Sequence, residues 1–564
     1  MNVRWLLLAA AASSVAASAA RAQVEAFGSI GPSNEIVAEQ LADTDGDGAR
    51  ELLVLFRSGR MQRWRMTRSA DGSGASLLSL DGELQLRDPS HALVACRDVT
   101  SAKGEEVIVA DLRGAFVYVF AASGEKSPDP VLLSRNARCS LRTGFPQWSP
   151  FVQDCNGDGL LDLVVPTRQG CTPFVQRAAG AVPEFVRMED LLLPVGANAQ
   201  RGGPELDEEH EGSVVVPAIE TEDLNGDGKK DLLTRDGKKR AFRMQGEDGL
   251  FSRRIEVDLA QFEDSTQKAE VALGSTAVIG DDQQIQRGDV DGDGIPDFVI
   301  AHRRKVWTFL ATKDGPQFEK ARTQAVADDV TGMLLLDLDE DKRSDLLAFQ
   351  VQLPSVGALL LGLVKSIDID VRAVGYRSAK DGFESLPQWR RTVTLRIPPL
   401  LSLLSKQEEI VQRFTDIVQK ARPAARGAFT KVGSRDVAMA NADGTQLQVF
   451  AAGTAAPELA SAEGKRMLRR LLFEDPDPVF DLERIFSLLS GAIDQRQARL
   501  LGDGAEKGSA KLRDPSQWSL VRLVAADLDG DGIEEIVAAY ESVPGDGDQE
   551  PQRAIDAIAV AGPR

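Results

Sequence analysis

Histidine is nearly absent from this chain. His91, His210 and His302 are the three it has, and no two stand at metal-ligand spacing. A histidine-built metal centre is therefore excluded, and His210, in the stretch ELDEEHE, reads as part of a solvated acidic loop. Cysteine is scarce as well. Cys96, Cys139, Cys155 and Cys171 include no Cys-x-x-Cys, which removes zinc knuckles and dithiol redox motifs. No apolar run approaches the roughly 20 residues that span a bilayer as a helix. The nucleophile elbow, the phosphate-binding loop and the dinucleotide fingerprint are all missing. Positive charge is in deficit too, with 66 Lys and Arg against 86 Asp and Glu, a net charge of -20. So acidic a chain repels nucleic acid and anionic lipid, whereas divalent cations are drawn to it.

The first residues read as an export signal over 1–22. Arg4 supplies the positive start, Trp5 to Ala12 an apolar run, and Ala20-Arg21-Ala22 a small-x-small cleavage site before Gln23. Cleavage would remove Arg4 and Arg21 and leave the mature chain more acidic still. It would also place the protein in oxidising surroundings, where disulfides persist. Cys155–Cys171 with Cys96–Cys139 is the favoured pairing, and four buried free thiols are the alternative.

What the chain has in quantity is one repeated unit. Short β-like runs begin at an acidic residue eight times, at Glu51, Glu106, Asp162, Asp231, Asp297, Asp345, Asp436 and Glu535. Several are followed by a turn and a second run, such as RGAFVYVF or KVWTFL. Loops with an acidic first residue precede seven of these runs, starting at 43, 98, 154, 223, 289, 337 and 527. The first five intervals are 55, 56, 69, 66 and 48 residues, which suits a four-stranded propeller blade with its connections. The last interval, 190 residues, is too long for one blade. It holds the Asp436 unit and two stretches of helical period, one around Leu400–Ala421 and one around Glu463–Leu501.

Six loops are complete: DTDGDGARE (43–51), DCNGDGLLD (154–162), DLNGDGKKD (223–231), DVDGDGIPD (289–297), DLDEDKRSD (337–345) and DLDGDGIEE (527–535). Calcium takes six to eight oxygen ligands, and acids or an amide at positions 1, 3, 5 and 9 can curl round one ion. Glycines at positions 4 and 6 allow the tight turn. So many carboxylates do not crowd together without a cation or large pKa shifts. Position 12 is Val54, Val165, Thr234, Ile300, Ala348 or Ala538, inside a β-like run, which rules out an EF-hand. The 337 loop carries Glu340 and Lys342 where glycines are wanted, so a weaker site is expected there. The 98 loop, DVTSAKGEE, and the 428 loop, AFTKVGSRD, have lost most of their acids and are not expected to bind.

These loops, each followed by a DLLV-like strand, resemble the FG-GAP/VCBS repeats of integrin-α-type β-propellers over about 43–350 and 430–564. The Phe-Gly…Gly-Ala-Pro signature itself is not evident. The resemblance implies calcium ions bracing hairpins within blades and a ring that brings the terminal strands together. It implies as ligands Asp43, Asp45, Asp47 and Glu51; Asp154, Asn156, Asp158 and Asp162; Asp223, Asn225, Asp227 and Asp231; Asp289, Asp291, Asp293 and Asp297; Asp337, Asp339, Asp341 and Asp345; and Asp527, Asp529, Asp531 and Glu535. Five or six Ca2+ per chain follow from that set.

The reading is thus an all-β, seven- or eight-bladed propeller with eight repeat units and helical insertions before the last blade. After the signal at 1–22, blades one to six fill 23–398 and a helical insertion 399–425. A degenerate blade unit follows at 426–455, a second helical insertion at 456–515, and the last blade with ring closure at 516–564. Function reads as an exported monomeric scaffold for a protein or glycan ligand, secreted, periplasmic or on the cell surface, with no nucleic-acid partner. The alternative is a polysaccharide lyase or hydrolase on a calcium-braced propeller. Trp64, Trp148, Trp307, Trp389 and Trp518 are candidates for sugar stacking, with buried packing the favoured role.

Overall fold

The computed structural model describes residues 22–68, 76–122, 125, 128–167, 170–178, 180, 183–191, 196–200, 211–215, 219–263, 283–352, 364–399, 402, 423–441, 443–452, 479–481, 484, 506–543 and 551–560. Among them, antiparallel sheets follow one another along the chain. The first holds Ile36–Ala42, Glu51–Phe56, Arg60–Arg68 and Ser76–Gln85; the second Leu93–Arg97, Glu106–Asp111, Gly114–Tyr118 and Val131–Ser134. The third holds Val152–Gln153, Asp162–Thr167, Gly170–Ala178 and Glu184–Arg187; the fourth Glu220–Glu222, Asp231–Asp236, Lys239–Gln245 and Phe251–Asp258. Gln284–Gly288, Asp297–Phe309 and Arg322–Val330 make the fifth, and Gly332–Leu336, Asp345–Gln352, Ile367–Tyr376 and Trp389–Ile397 the sixth. The seventh holds Ala424–Gly427, Asp436–Ala440, Gln446–Ala451 and Glu506–Lys511. The eighth holds Trp518–Ala526, Glu535–Ser542, Arg553–Val560 and, from the other end of the chain, Ala22–Ser33.

One register recurs in all of them. The last residue of the first strand pairs with the acid that opens the second, as in Ala42 with Glu51, Arg97 with Glu106 and Gly288 with Asp297. Gln153 with Asp162, Glu222 with Asp231, Leu336 with Asp345, Gly427 with Asp436 and Ala526 with Glu535 complete the set. Every loop therefore bridges the same pair of strand ends with the same number of residues, including the two loops that lost their acids.

The second strands are apolar on both faces, which is how a strand reads when neighbours cover it on either side. Glu51–Phe56 is buried at every position. Leu53 and Leu55 pack toward the second sheet with Val94 and Val107. Leu52 and Val54 pack toward the eighth with Val537 and Ile555. Shared clusters likewise join the second sheet to the third, the third to the fourth, the fourth to the fifth and the fifth to the sixth. Another joins the seventh to the eighth through Leu447, Val449, Ile536 and Ile558. The protein is a β-propeller, and its first and eighth sheets are in contact.

That contact is made by a strand that carries no repeat loop. Ala22–Ser33 runs antiparallel to Arg553–Val560, from Val24 opposite Val560 to Ser33 opposite Arg553. It also touches Glu506–Lys511 in parallel, through Ala22 opposite Gly508. The chain's two ends thus share one sheet, as the resemblance implied, although the sequence reading began the first blade at residue 23.

The stretches expected to be helical, around 400–421 and 463–501, fall almost wholly outside the described residues, and so does the signal segment up to residue 21. Two strands are described within 456–515. Val479–Asp481 pairs in parallel with Trp389–Ile397, and Glu506–Lys511 supplies the fourth strand of the seventh sheet. The favoured disulfides are corrected: all four cysteines are free and buried. Cys96 belongs to the core between the first and second sheets, Cys139 to that between the second and third, and Cys155 and Cys171 to that between the third and fourth. Burial pushes the Cys139 thiol up to about 11 and the Cys171 thiol up to about 12, so they behave as small apolar groups.

Ile30 is 6% exposed in the core shared by the first and eighth sheets, and Ile555 is 1% exposed in the same core. Truncation of either to alanine is expected to cost about 2–4 kcal/mol in denaturant unfolding. An unchanged midpoint for Ile30→Ala would deny the N-terminal strand its closing role.

Candidate metal centres

The acid at position 9 of each loop heads a strand inside the core. Glu51, Asp162, Asp231, Asp297, Asp345, Asp436 and Glu535 are all 5% exposed or less. In seven loops, that of the half-buried Glu106 included, one of its oxygens reaches back to the backbone N–H of position 2, donated by Thr44 at 2.8 Å, Val99 at 2.9 Å, Cys155 at 2.9 Å, Leu224 at 3.0 Å, Val290 at 2.8 Å, Leu338 at 2.9 Å and Leu528 at 2.8 Å, while Asp436 takes the position-3 N–H of Thr430 at 3.0 Å. The other oxygen takes an N–H beyond the second strand, from Gln176 at 2.9 Å, Gln245 at 2.9 Å, Ala311 at 2.8 Å and Ser378 at 2.7 Å. A buried charge is tolerated when several donors converge on it, and hydrogen bonds to a charged group are worth about 1.5–3 kcal/mol each.

Position 1 shapes the turn. Its Oδ2 accepts the position-6 N–H in all six complete loops, from Gly48, Gly159, Gly228, Gly294, Lys342 and Gly532 at 2.8–3.2 Å. The position-5 acid binds the position-7 N–H, as in Asp47 with Ala49 at 2.8 Å and Asp531 with Ile533 at 2.7 Å. Asp158, Asp227, Asp293 and Asp341 do the same for Leu160, Lys229, Ile295 and Arg343.

Positions 1, 3 and 9 are the ones that converge. Carboxylate oxygens lie within 4.8 Å of one another in Asp43–Asp45–Glu51, Asp289–Asp291–Asp297, Asp337–Asp339–Asp345 and Asp527–Asp529–Glu535. In the 154 and 223 loops the third position is an amide. Asn156 and Asn225 donate Nδ2 to Gly249 and Lys313 carbonyls in the next sheet, at 3.3 and 3.1 Å. Their Oδ1 atoms face the loop, each 3.1 Å from the position-5 N–H. Asp154 and Asp223 keep the position-1 role and Asp162 and Asp231 the position-9 role, so the frame is the same.

The residues fit a hard cation. Every converging atom is oxygen, the donor type that calcium selects. Asp339 Oδ1 is buried and accepts no hydrogen bond. Burial, then neighbouring carboxylates, pushes Asp297 up to about 7 and Glu535 up to about 8. Burial with Asp158 and Asp154 nearby pushes Asp162 up to about 6. Excess negative charge of this kind is what a bound cation would neutralise.

Glycine at position 4 has a second reason beyond the turn. A Cβ on Gly226 would lie 2.9 Å from Ile295 of the following loop. The 337 loop has no glycine at either turn position, and Glu340 and Lys342 hold φ of 68° and 74° there. Both side chains therefore sit in the left-handed region that glycine would occupy without cost.

Loops also bind one another. In four loops the position-8 N–H donates to the position-1 carbonyl of the preceding loop, as Glu105 to Asp43 at 2.7 Å and Ser344 to Asp289 at 2.6 Å. Glu534 does so to Ala428 at 3.0 Å, and Arg50 to Asp527 at 2.8 Å, across the junction of the chain's two ends. The Glu105 and Glu534 carboxylates return the bond, accepting Asp43 N–H at 3.0 Å and Ala428 N–H at 2.6 Å.

Sequence reasoning missed the cations that the protein itself supplies to three loops. Arg65 lies among the acids of the 43 loop, Arg377 Nε is 2.6 Å from Asp339, and Lys507 Nζ is 3.0 Å from Asp436. The available signal was position. Arg65 stands fourteen residues past Glu51, where the other loops have Gln176, Gln245 and Ala311.

Residues 289–348 match the FG-GAP-like repeat family. No curated protein matches the chain. Among solved structures, it is similar to an Agrocybe aegerita lectin described as recognising non-reducing terminal N-acetylglucosamine. The identity there is 13%, covering 63% of this chain and 79% of the lectin, with a TM-score of 0.25. It is also similar to a chain of a BBS1N–ARL6DN complex, at 14% identity over 58% of this chain and 94% of the other, with a TM-score of 0.18.

Two outcomes follow from the geometry. Lys342→Gly is expected to stabilise the protein by about 1 kcal/mol, read by denaturant midpoint, because it releases a left-handed side chain. Asp162, Asp297 and Glu535 hold protons more tightly folded than unfolded. Without a cation, their protonation contributes stability that is complete below the ordinary carboxylate range and lost as pH rises through about 6–8. Metal-depleted protein should accordingly melt higher at pH 5.5 than at pH 8, and a Tm that falls on acidification over that window would contradict this.

Proposed function

We propose that this FG-GAP-like repeat protein is an exported β-propeller scaffold that calcium braces from within its blades, and that it presents the rigid ring to a protein or glycan ligand. The observation that carries the reading is the repeated convergence of position 1, 3 and 9 carboxylates in loops that hold one register. The ligands would be those acids, with Asn156 and Asn225 at position 3 in two loops and the position-5 acids at the rim. The ion would neutralise the buried position-9 carboxylate and lock the hairpin it heads, so its role is structural.

For the ligand, the reading favours the cleft where the eighth sheet meets the first. This cleft of about 320 Å³ is lined by Glu39, Gln40, Trp148, Arg522, Glu541 and Arg553 among others. Arg522 reaches Glu39 at 2.6 Å and Arg553 reaches Glu541 at 3.0 Å. Paired charges beside an indole suit a polar, hydroxyl-rich or peptide ligand, and aromatic faces are common at such sites. Of the tryptophans considered for stacking, Trp307 is 8% exposed and packed inside the fourth and fifth sheets, while Trp148 lines this cleft.

The experiment is a glycan array and a pull-down with the mature chain, each with calcium and with EGTA. Calcium-dependent retention that Arg522→Ala weakens at least tenfold supports the reading. For the brace itself, EGTA is expected to lower Tm markedly. An unchanged Tm, or no more than one ion per chain by metal analysis, would overturn it.

A further inference from the structure

The acidic loops are not electrostatically alike. In the 43 loop a guanidinium already stands where a cation would. Arg65 Nη2 bonds Asp45 Oδ2 at short range and lies 3.0 Å from Glu51 Oε1. Arg65 Nη1 is 3.8 Å from Asp47 Oδ2, and Arg65 Nε is 3.9 Å from Asp81 on the neighbouring strand. Four carboxylates thus surround one arginine that is 26% exposed. Arg63 reinforces the arrangement, reaching Asp81 at 2.6 Å and the Thr44 hydroxyl at 3.2 Å.

The remaining oxygens of that loop make the backbone bonds that the other acidic loops also make. Glu51 Oε2 accepts both the N–H and the hydroxyl of Thr44, at 2.8 and 2.7 Å. Asp47 Oδ1 takes the Ala49 N–H, and Asp43 Oδ2 the Gly48 N–H. The 289 loop differs at the matching place. There the residue that gives its N–H to the closing acid is Ala311, with no charge to offer.

We infer that the 43 loop is neutralised by Arg65 in place of a metal, so that the chain's acidic loops divide into an arginine-filled class and a metal-dependent class; the 337 loop stays in the second, because Arg377 reaches Asp339 and Asp341 while the closing Asp345 takes backbone N–H groups of Leu338 and Ser378. The inference rests on the calcium reading for the second class only. The same ring carries a second instance of the substitution. The 428 loop lacks acids at positions 1, 3 and 5, and its closing Asp436 is 0% exposed yet bound by Lys507 Nζ, Thr430 and Ser434. Where the metal's ligands are gone, a lysine from another strand has taken the ion's place. The 43 loop has all its acids and an arginine among them, which sequence inspection of the loop alone does not reveal. The consequence is placement: the arginine-filled loop belongs to the first sheet, which packs against the eighth where the chain's two ends meet. That junction would hold when calcium is scarce.

The test uses the whole mature chain. Calcium is counted by equilibrium dialysis with metal analysis for the wild type, Asp45→Asn, Asp291→Asn and Arg65→Gln, and Tm is read for each in EGTA and in calcium. The expected result is an unchanged count for Asp45→Asn, one ion fewer for Asp291→Asn and one more for Arg65→Gln. Arg65→Gln should also melt about 2–4 °C lower than wild type in EGTA and recover in calcium, which separates loss of the cation from misfolding. Loss of an ion in Asp45→Asn, or an Arg65→Gln protein as stable as wild type in EGTA, would overturn the inference. A wild type that binds no calcium would defeat the calcium reading instead, and the Tm of Arg65→Gln in EGTA would then decide the role of Arg65 by itself.

Discussion

A carboxylate buried at the head of a strand is the constraint on which the rest of this structure depends. In each sheet it sits at the meeting point of the eight-residue loop, the first hairpin and the core, as Asp297 does with N–H donors from Val290 and Ala311. Burying such a charge costs several kcal/mol unless donors converge on it. The donors are backbone groups of the loop and of the turn beyond, so the loop must take one shape for the charge to be tolerated. The position-1 acid then completes that shape by gathering the loop's own N–H groups. A loop fixed in this way fixes the register of the two strands it joins, and the register puts apolar side chains on both faces of the second strand.

The loops also link sheet to sheet. Backbone bonds such as Ser344 to Asp289 tie one loop to the one before, and the contacts continue through Arg50 to Asp527 across the two ends of the chain. Main-chain groups make these bonds, so they survive changes of side chain. Pro296 stands at position 8 of the 289 loop and has no N–H to give. Contact there is made instead by Ile295 against Gly226. Apolar packing joins sheets as well, through clusters shared from the first sheet on to the sixth, between the seventh and eighth, and between the eighth and first.

Charge is handled locally and in several ways. Asp297 and Glu535 are pushed up by burial and by their acidic neighbours, a state that suits a bound cation. At Asp45 burial pushes up as well, but the hydrogen bond and charge of Arg65 hold it below its usual range. Asp436 is likewise held low against burial by Ser434, Thr430 and Lys507. A hydroxyl serves Glu106 in the 98 loop, where Thr100 bonds it. An acid at the head of the second strand is thus kept throughout, buried in seven sheets and half-buried in the second, while the groups that satisfy it vary. That is why the repeat persists where the other loop acids do not.

Much of this was written in the sequence. The acid-then-apolar runs beginning at Glu51, Glu106, Asp162, Asp231, Asp297, Asp345, Asp436 and Glu535 are the first residues of eight second strands, because a buried charge and a two-faced apolar strand leave a local mark. Glycine at positions 4 and 6 reported the left-handed turn, and Glu340 with Lys342 reported where that turn is strained. What only the tertiary structure decided depends on residues far apart in the chain. Ala22–Ser33 carries no loop motif, and it is the far edge of the eighth sheet that makes it the closing strand. The cysteines looked paired by spacing but lie in inter-sheet cores as free thiols. Arg65 and Lys507 come from strands outside the loops they serve, so their meeting with Glu51 and Asp436 exists only once the sheets are folded. Composition and spacing determined which loops are acidic, while the fold determined which of them already carry a cation, because the counter-charge arrives from a different strand.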